Sequence, residues 1–393
     1  MEKIPHKVTK HPIKRRSARP IKVGNIIIGG DAPISVQSMT KTDTRAIDAT
    51  VRQINSLEKI GCEIIRVAVP DIKAVKCLGE IKKQINIPVV ADIHFSYKLA
   101  LEAIKQGVDK LRLNPGNISS QKHLSMIISA AEEKDIAIRI GINAGSVKKN
   151  SKSSRKPSGQ NSKLMVEECL KYLRIFEKHK FYNIIISLKS SDVLSTVEAY
   201  RQMAGKCDYP FHLGITEAGP LPEGLIKSSV GLGILLSEGI GDTLRVSLTA
   251  PPEEEVKAGF QILQSIKLRE YGPEIISCPT CGRCKIDVIK IVTKLKKQLS
   301  SISSTLPPIK IAVMGCEVNG PGEAKEADIG IAGGKTSGIL FCNGKIVKRV
   351  KKEKLVEELI SKILEERLHD ISDIKEFKRL QPEIKEAVDL KSP

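Results

Sequence analysis

Short apolar runs alternate with longer segments of helical periodicity over most of the chain. The first run, ISVQSM at 34–39, is followed by a stretch in which apolar residues recur at the spacing of one helix face, from Ile47 to Leu57. Seven more apolar runs follow, each separated from the next by a helix-like segment, at 63–69, 88–95, 110–116, 136–145, 183–191, 211–219 and 243–250. Eight strands that alternate with helices predict a closed parallel (β/α)8 barrel of the TIM type.

A second, smaller pattern begins near Pro273. Its predicted elements, in order, are a cysteine-rich stretch at 277–284, an amphipathic helix at 288–299, a strand at 309–315, two more strands joined by a turn at Asn343–Gly344, and a helix at 355–368. This order is typical of a small α+β domain. The sequence therefore predicts two domains, residues 1–272 and 273–393, the second ending in a charged tail from about residue 370.

One polar segment interrupts the barrel pattern. Residues 146–163 are basic and serine-rich, which predicts a mobile loop after the fifth strand. Because active sites of such barrels lie at the C-terminal ends of the strands, this loop would leave from the active-site face. A lid over the site and an insertion without function both remain open.

The composition is that of a globular protein. Of 393 residues, 41% are hydrophobic and 28% charged. No apolar run approaches the roughly 20 residues that a membrane-spanning helix requires, and the basic N-terminus lacks the apolar core of a secretory signal. We therefore expect a cytoplasmic protein without a membrane segment.

The net charge of +19 raises the question of a nucleic-acid partner. Only 3% of the residues are aromatic and there is no Trp, so no basic stretch carries interleaved aromatic rings that would stack on bases. The lysines are also spread along the whole chain. We therefore expect no nucleic acid, and instead an anionic small substrate or an acidic protein partner.

Four of the nine cysteines are clustered. Cys278, Cys281 and Cys284 form a C-x2-C-x2-C motif, and Cys316 follows farther along. Zinc sites usually combine two separated pairs, or a pair with histidines, whereas three close cysteines with a distant fourth suit a [4Fe–4S] cluster better. The spacing alone leaves both metals open. The remaining cysteines are interpreted as free thiols: Cys62, Cys77, Cys169, Cys207 and Cys342.

Cationic side chains stand in otherwise apolar barrel strands, towards the C-terminal ends. They are Arg66, Arg112, Arg139, Lys189 and Arg245. An unpaired buried charge is costly, so cations that converge on one barrel mouth require anions. Carboxylates such as Asp92 and Glu217 are one source but are too few. A phosphate or diphosphate ligand is the other, because the guanidinium fork matches phosphate geometry.

Polar residues share the strand faces of these cations. Because side chains alternate along a strand, Arg112 shares a face with the residue two positions on, and the same spacing recurs in other strands. The residues expected to orient the ligand are Asp92, His94, Asn114, Asn143, His212 and Ser247. The two histidines are also able to carry protons.

The cysteine motif SCPTCGRC at 277–284, with MGCEVNGPGEA at 314–324, resembles the cluster-binding domain of the 4-hydroxy-3-methylbut-2-enyl diphosphate synthase family. Barrel segments resemble the same family in the same order, among them IGGDAPISVQSMTKTDT, LRLNPGN, RIGINAGS and HLGITEAGP. The resemblance extends from about Arg15 to Lys345 and implies the compact two-domain bacterial form.

The resemblance implies a [4Fe–4S] cluster held by three cysteines and one glutamate, at Cys278, Cys281, Cys316 and Glu323. A carboxylate is a harder and more exchangeable ligand than a thiolate, which suits a cluster that also meets substrate. Cys284 departs from the family pattern, which usually has a non-ligating residue there. We expect it to be a bystander.

The resemblance also implies an oxidoreductase that reduces, opens and dehydrates 2-C-methyl-D-erythritol 2,4-cyclodiphosphate to 4-hydroxy-3-methylbut-2-enyl diphosphate. The barrel cations would hold the substrate, and Glu217 would act as proton donor beside the catalytic ligand Glu323. Electrons would come from a flavodoxin or ferredoxin, and the chain would be a homodimer. Two alternatives remain open, a radical-generating barrel enzyme, whose motif would be CxxxCxxC, and a zinc-stabilised nucleic-acid-binding module.

Overall fold

The structure is a computed structural model that describes residues 13–118, 120–146, 158–300, 306, 308–317 and 324–371. Within these residues the chain divides into two compact units, the first ending at Arg269 and the second beginning at Glu270. The predicted domain limits at 272 and 273 stay predictions. Glu323, the centre of the predicted loop and the predicted charged tail beyond residue 371 lie outside the described residues.

Eight parallel strands form the barrel of the first unit, after a short hairpin of β1 (Ile21–Val23) and β2 (Ile26–Ile28). The barrel strands are β3 (Ser35–Met39), β4 (Ile64–Ala68), β5 (Val89–Ile93), β6 (Lys110–Leu113), β7 (Ala137–Asn143), β8 (Ile184–Lys189), β9 (His212–Leu213) and β10 (Thr243–Leu244). Their order is β8-β7-β6-β5-β4-β3-β10-β9. The ring closes where Ile186 pairs with Phe211. The predicted (β/α)8 barrel is confirmed.

Each barrel strand is followed by a helix whose apolar side packs on the sheet. The helices are α1 (Ile47–Lys59), α2 (Ile72–Lys83), α3 (Tyr97–Lys105), α4 (Gln121–Glu133), α5 (Ser158–Lys178), α6 (Val193–Ala204), α7 (Glu223–Ser237) and α8 (Pro252–Ser265). Side-chain caps fix where some of them begin. The Asp192 carboxylate, for example, accepts a hydrogen bond from the Ser195 N–H at 2.7 Å.

Residues 158–163 correct one prediction. The sequence assigned them to a mobile loop at 146–163, yet they form the first turns of α5. They lead directly into an apolar-periodic segment whose Met165 and Cys169 are fully buried. Packing of that face stabilises the helix and outweighs the weak helix propensity of the serines before it.

The hairpin of β1 and β2, which the sequence analysis did not predict, closes the lower end of the barrel. Val23 and Ile28 are fully buried. They belong to one apolar cluster with residues at the N-terminal ends of four barrel strands: Ile64, Val90, Ala137 and Ile185. An apolar plug therefore seals the barrel on the side opposite the strand ends at which cations were predicted.

Among its described residues, the second unit is a five-stranded sheet with two α-helices. Its elements are β11 (Pro273–Ser277), α9 (Val288–Ser300), β12 (Ile309–Met314), β13 (Ile329–Gly333), β14 (Ser337–Cys342), β15 (Lys345–Lys351) and α10 (Leu355–Ile371). Strands β11, β12 and β13 are parallel, and β13, β14 and β15 are antiparallel. The predicted turn at Asn343–Gly344 is present, with φ of 49° and 73°. Across the described part of the chain, no helix is long and apolar enough to span a membrane.

The plug generates a stability prediction. Ile28→Ala removes a fully buried side chain from the barrel floor, so we expect the free energy of unfolding to fall by about 2–5 kcal/mol. The neighbouring Ile27 is 44% exposed, and Ile27→Ala should change it by no more than about 0.5 kcal/mol. Urea denaturation of both variants measures this difference. Equal effects would mean that the hairpin does not seal the barrel.

Candidate active site

Six cationic side chains lie in, or directly after, the barrel strands within the described residues. Lys110 joins the five that the sequence predicted: Arg66, Arg112, Arg139, Lys189 and Arg245. The most exposed of them, Arg66, shows only 14% of its side chain to solvent. Among the described residues, only the carboxylates of Asp92 and Glu255 form ion pairs with these cations. The barrel interior therefore carries a large excess of positive charge.

Asp92, on β5, connects the cations of the neighbouring strands. Its carboxylate lies 3.4 Å from the Arg112 guanidinium, 4.0 Å from Arg66 and 3.3 Å from the Nε2 atom of His94. Burial opposes ionisation of Asp92, but the charges of Arg66 and Arg112 and the hydrogen bond to His94 outweigh it, so the pKa of Asp92 lies below its ordinary value. Asp92 is therefore an anion that aligns two guanidinium groups.

Arg245 meets a carboxylate from helix α8. Its guanidinium lies 3.3 Å from Glu255, which also accepts a hydrogen bond from the Leu248 N–H at 3.1 Å. Arg245 and Arg66 both donate to the Sδ atom of Met39, at 3.5 and 3.0 Å. Because both guanidinium groups contact the same sulfur atom, Arg245 lies beside Arg66. Burial, with Arg245 and Arg112 nearby, lowers the pKa of Arg66 to about 10, so Arg66 remains charged at neutral pH.

The other cations lack such support. Among the described residues, the Nζ atom of Lys110 and the Nε and Nη1 atoms of Arg139 are buried without a hydrogen-bond partner. Burial, reinforced by the surrounding guanidinium groups, lowers the pKa of Lys110, Arg139 and Lys189. Both ring nitrogens of His212 are likewise buried without a partner, and burial beside Lys189 lowers the pKa of this ring. No carboxylate of the described residues forms an ion pair with these groups.

Two glycines make room for the cations. A Cβ atom on Gly141 would lie 3.0 Å from the Nε atom of Arg112. A Cβ atom on Gly214 would lie 2.5 Å from the Nζ atom of Lys189 and 2.6 Å from the Arg245 carbonyl oxygen. The absence of side chains at these two positions lets the cationic groups enter the barrel interior.

The remaining predicted site residues differ from one another in burial and in contacts. Asn114 is buried, and its side chain accepts a hydrogen bond from the Gly116 N–H at 3.3 Å, which stabilises the turn after β6. Asn143 ends β7, and Ser247 follows β10, both half-buried. Glu217 is exposed on the turn after β9, with φ of 52°. The structure brings Glu217 into no direct contact with the cations that it describes.

The clustered cysteines gather at the end of β12. The Gly315 N–H donates to the Sγ atom of Cys278 at 3.1 Å, and a Cβ atom on Gly315 would lie 2.3 Å from the Sγ atom of Cys284. Cys316 is the next residue, and Cys281 is exposed on the loop. Within the described residues no three potential ligands meet closely enough to hold a metal ion. The Sγ atoms of Cys278 and Cys284 border the space that a Gly315 side chain would fill, and sulfur ligands of this kind fit an iron–sulfur group.

Three residues of the site escaped the sequence analysis. Lys110 begins its strand, whereas the predicted cations stand towards the C-terminal ends of theirs. Its position two residues before Arg112 is a signal that would have found it, since both share a strand face. Glu255 belongs to a helix and Met39 is apolar, so strand periodicity identifies neither as a partner of the cations.

Fold and site together define a barrel enzyme for an anionic substrate, joined to a second domain that presents clustered thiols. The chain belongs to the GcpE family. Residues 18–260 match the family model described as the GcpE TIM-barrel domain, and residues 274–365 match the GcpE protein C-terminal domain.

Curated relatives share this two-domain sequence. The chain is 58% identical to 4-hydroxy-3-methylbut-2-en-1-yl diphosphate synthase (flavodoxin) of Thermodesulfovibrio yellowstonii, covering 89% of this chain and 99% of that protein. It is 56% identical to the protein of the same name from Caldanaerobacter subterraneus subsp. tengcongensis, covering 89% and 97%. The protein of that name from Lawsonia intracellularis is 53% identical, with 90% and 96% covered.

Lys189 provides a test of the unsupported cations. Lys189→Met replaces a buried cation that forms no ion pair within the described residues by an apolar side chain of similar length, so we expect the free energy of unfolding to rise by about 1 kcal/mol or more. Affinity for a cyclic diphosphate should fall at least about tenfold, because a charge-assisted hydrogen bond is lost. Urea denaturation and substrate titration measure the two effects.

The exposed Lys178 at the end of α5 provides the control. Lys178→Met should alter neither quantity, since its ammonium group is already solvated. A Lys189→Met protein that is destabilised while its affinity is unchanged would show that Lys189 supports the fold and does not bind the anion.

Proposed function

We propose that this protein catalyses the two-electron reductive ring opening and dehydration of 2-C-methyl-D-erythritol 2,4-cyclodiphosphate to 4-hydroxy-3-methylbut-2-enyl diphosphate, a step of the non-mevalonate isoprenoid pathway. The observation that carries the proposal is the charge of the barrel interior and mouth, where six cations form ion pairs with only two carboxylates among the described residues. A diphosphate supplies the missing negative charge. The names of relatives that are 58% and 56% identical give 4-hydroxy-3-methylbut-2-en-1-yl diphosphate as the product, which supports this choice among diphosphates.

The barrel residues bind and orient the substrate. The forks of Arg66 and Arg112, aligned by Asp92, donate paired hydrogen bonds to phosphoryl oxygens. Some groups, among them Arg139 and Lys189, are buried without carboxylate partners. They gain an anionic partner only when the diphosphate binds. The apolar plug below excludes water, which strengthens each of these interactions. The further orienting contacts are assigned to His94, Asn114, Asn143, His212, Arg245 and Ser247.

Proton delivery is assigned to Glu217. Its position on an exposed turn after β9 gives it access to solvent protons and to the face of the barrel where the strands end. In the proposed step the Glu217 carboxyl donates a proton to the hydroxyl group that departs as water, and is then reprotonated from solvent.

A [4Fe–4S] cluster bound by Cys278, Cys281, Cys316 and Glu323 would supply electron transfer and Lewis acidity. The soft thiolates at the end of β12 suit iron, and the carboxylate is the ligand most readily exchanged. The proposal also includes a homodimer and a cytoplasmic location. Cysteines that stay reduced, as cluster ligands must, are the rule in that compartment.

The ligand assignment has a direct test. Protein purified without oxygen should contain iron and sulfide in equal amounts and convert the cyclodiphosphate to the linear diphosphate. Glu323→Ala should reduce turnover more than about 100-fold, since even the loss of a group that only orients a ligand costs up to that much. Cys284→Ser, as the matched substitution of the bystander, should retain turnover and iron. Zinc without iron or sulfide, or full activity of Glu323→Ala, would contradict the proposal.

Flavodoxin is the proposed electron donor, as the names of the relatives indicate. Helix α9, which follows the cysteine loop, contains no acidic residue. Its solvent-facing side carries Lys290 and Lys294, beside Ile289, whose side chain is 72% exposed. A basic surface with an exposed apolar residue next to the cysteine loop fits an acidic redox partner.

This surface generates a prediction about the donor. The double substitution Lys290→Glu/Lys294→Glu should lower kcat/KM for flavodoxin about tenfold at low ionic strength, because it removes electrostatic steering. Turnover driven by dithionite should be unaffected. Lys22→Glu/Lys59→Glu makes the same change in charge at the plugged end of the barrel and should leave both activities intact. An equal loss with dithionite would show damage to the domain rather than to donor binding.

A further inference from the structure

Cys284 is the member of the cysteine cluster that the proposed ligand set does not use. It is half-buried and packs against the apolar core of the second unit, as Cys278 does. Its thiol donates a hydrogen bond to the Ile286 carbonyl at 3.0 Å. Cys284 is therefore held beside the proposed iron ligand Cys278 without being a ligand itself.

Backbone hydrogen bonds fasten both ends of the cysteine loop to the end of β12 and the residue that follows it. At the start of the loop, the Cys278 N–H donates to the Val313 carbonyl at 3.3 Å. At its end, the Lys285 N–H donates to the Gly315 carbonyl at 2.8 Å. The loop is therefore a closed arch over the end of β12, and its two feet carry Cys278 and Cys284.

Gly315 lets the two sulfur atoms approach each other. A Cβ atom there would lie 2.3 Å from the Sγ atom of Cys284 and 3.2 Å from that of Cys278. Because these distances add to 5.5 Å, the two sulfur atoms are no farther apart than that. Rotation about the two Cα–Cβ bonds is the motion that would bring them towards the roughly 2 Å of a disulfide.

Cys281 is placed differently. It stands at the exposed apex of the arch, next to Thr280, whose φ is 65°. Its carbonyl accepts a hydrogen bond from the Cys284 N–H at 2.9 Å, which fixes the turn. Its thiol does not share the packing of Cys278 and Cys284 against the apolar core. The geometry thus favours a pair formed by Cys278 and Cys284 over a pair formed by Cys278 and Cys281.

We propose that Cys284 is a site of oxidative modification, which forms a disulfide with Cys278 when the iron–sulfur cluster is absent. The inference rests on the proposed function insofar as Cys278 is a cluster ligand. The oxidant is a low-molecular-weight disulfide such as glutathione disulfide. One cysteine sulfur attacks it and releases the first glutathione thiol, and the second cysteine sulfur then displaces the other. The two cysteines lose two electrons and two protons, and both glutathione molecules gain them.

This bond has a defined consequence. It occupies a thiolate that the cluster requires, so an oxidised chain cannot assemble the cluster until a dithiol reductant restores both thiols. It also holds Cys278 at the disulfide level, from which a dithiol recovers it, whereas an unpaired sulfenic acid is open to irreversible further oxidation. Cys284 therefore preserves the ligand while it is unoccupied.

The experiment follows the bond itself rather than activity. Full-length protein is purified without oxygen, its iron and sulfide are measured, and it is then treated with an iron chelator and glutathione disulfide. Free thiols are blocked, and peptides are mapped by mass spectrometry. We expect a peptide linked through Cys278 and Cys284, and no iron–sulfur absorbance on reconstitution until dithiothreitol is added.

Two variants separate the thiol pairs. Cys281→Ser should still form the Cys278–Cys284 link, whereas Cys284→Ser should leave glutathione attached to Cys278 or Cys281, or link those two. A link between Cys278 and Cys281 in the unsubstituted chain, or glutathione retained on Cys284, would overturn the inference. The mapping does not require a cluster, so a chain purified without iron would refute the proposed function and still decide whether this pair forms.

Discussion

The guanidinium groups of Arg66 and Arg112 share the carboxylate of Asp92 inside the barrel. Within the part of the chain that the structure describes, this contact is the one in which a strand carboxylate partly balances the interior charge. Around it, Lys110, Arg139 and Lys189 add positive charge without a carboxylate of their own among the described residues. Such an arrangement is unfavourable in the free protein, and the fold has to supply the stability that it removes.

Several features meet that requirement. The apolar hairpin closes the barrel floor, and eight helices bury one face each against the sheet. Helix α8 contributes Glu255, which holds Arg245 from outside the ring of strands. Gly141 and Gly214 leave space for cationic groups that any side chain would displace. Stability is concentrated in the lower barrel and the outer layer, and the upper interior is left charged and ready for an anion.

The sequence determines most of this arrangement through periodicity. Apolar runs at regular intervals were sufficient to predict the eight strands. The cations within those runs led to the prediction of an anion site at the barrel mouth. The hairpin was missed because each of its strands has only three residues, too short for an alternating pattern to emerge. Glu255 was missed because partners in space are not neighbours along the chain, and no strand rule reaches a residue of α8. Residues 158–163 were wrongly predicted as loop because the low helix propensity of their serines is a local property. The burial that stabilises this part of the helix comes from residues farther along the chain.

The ring of strands closes between β8 and β9. Between β8 and β9 the ring is joined by the Ile186–Phe211 bridge and by a hydrogen bond from the Ile186 N–H to the Pro210 carbonyl at 2.9 Å. Lys189 stands at the end of β8 on one side of this join, and Arg245 follows β10 on the other. A diphosphate bound by both side chains would connect β8 to β10 across this join. Substrate would then stabilise the closed ring as well as undergo reaction, because a ligand that binds only the folded barrel favours it.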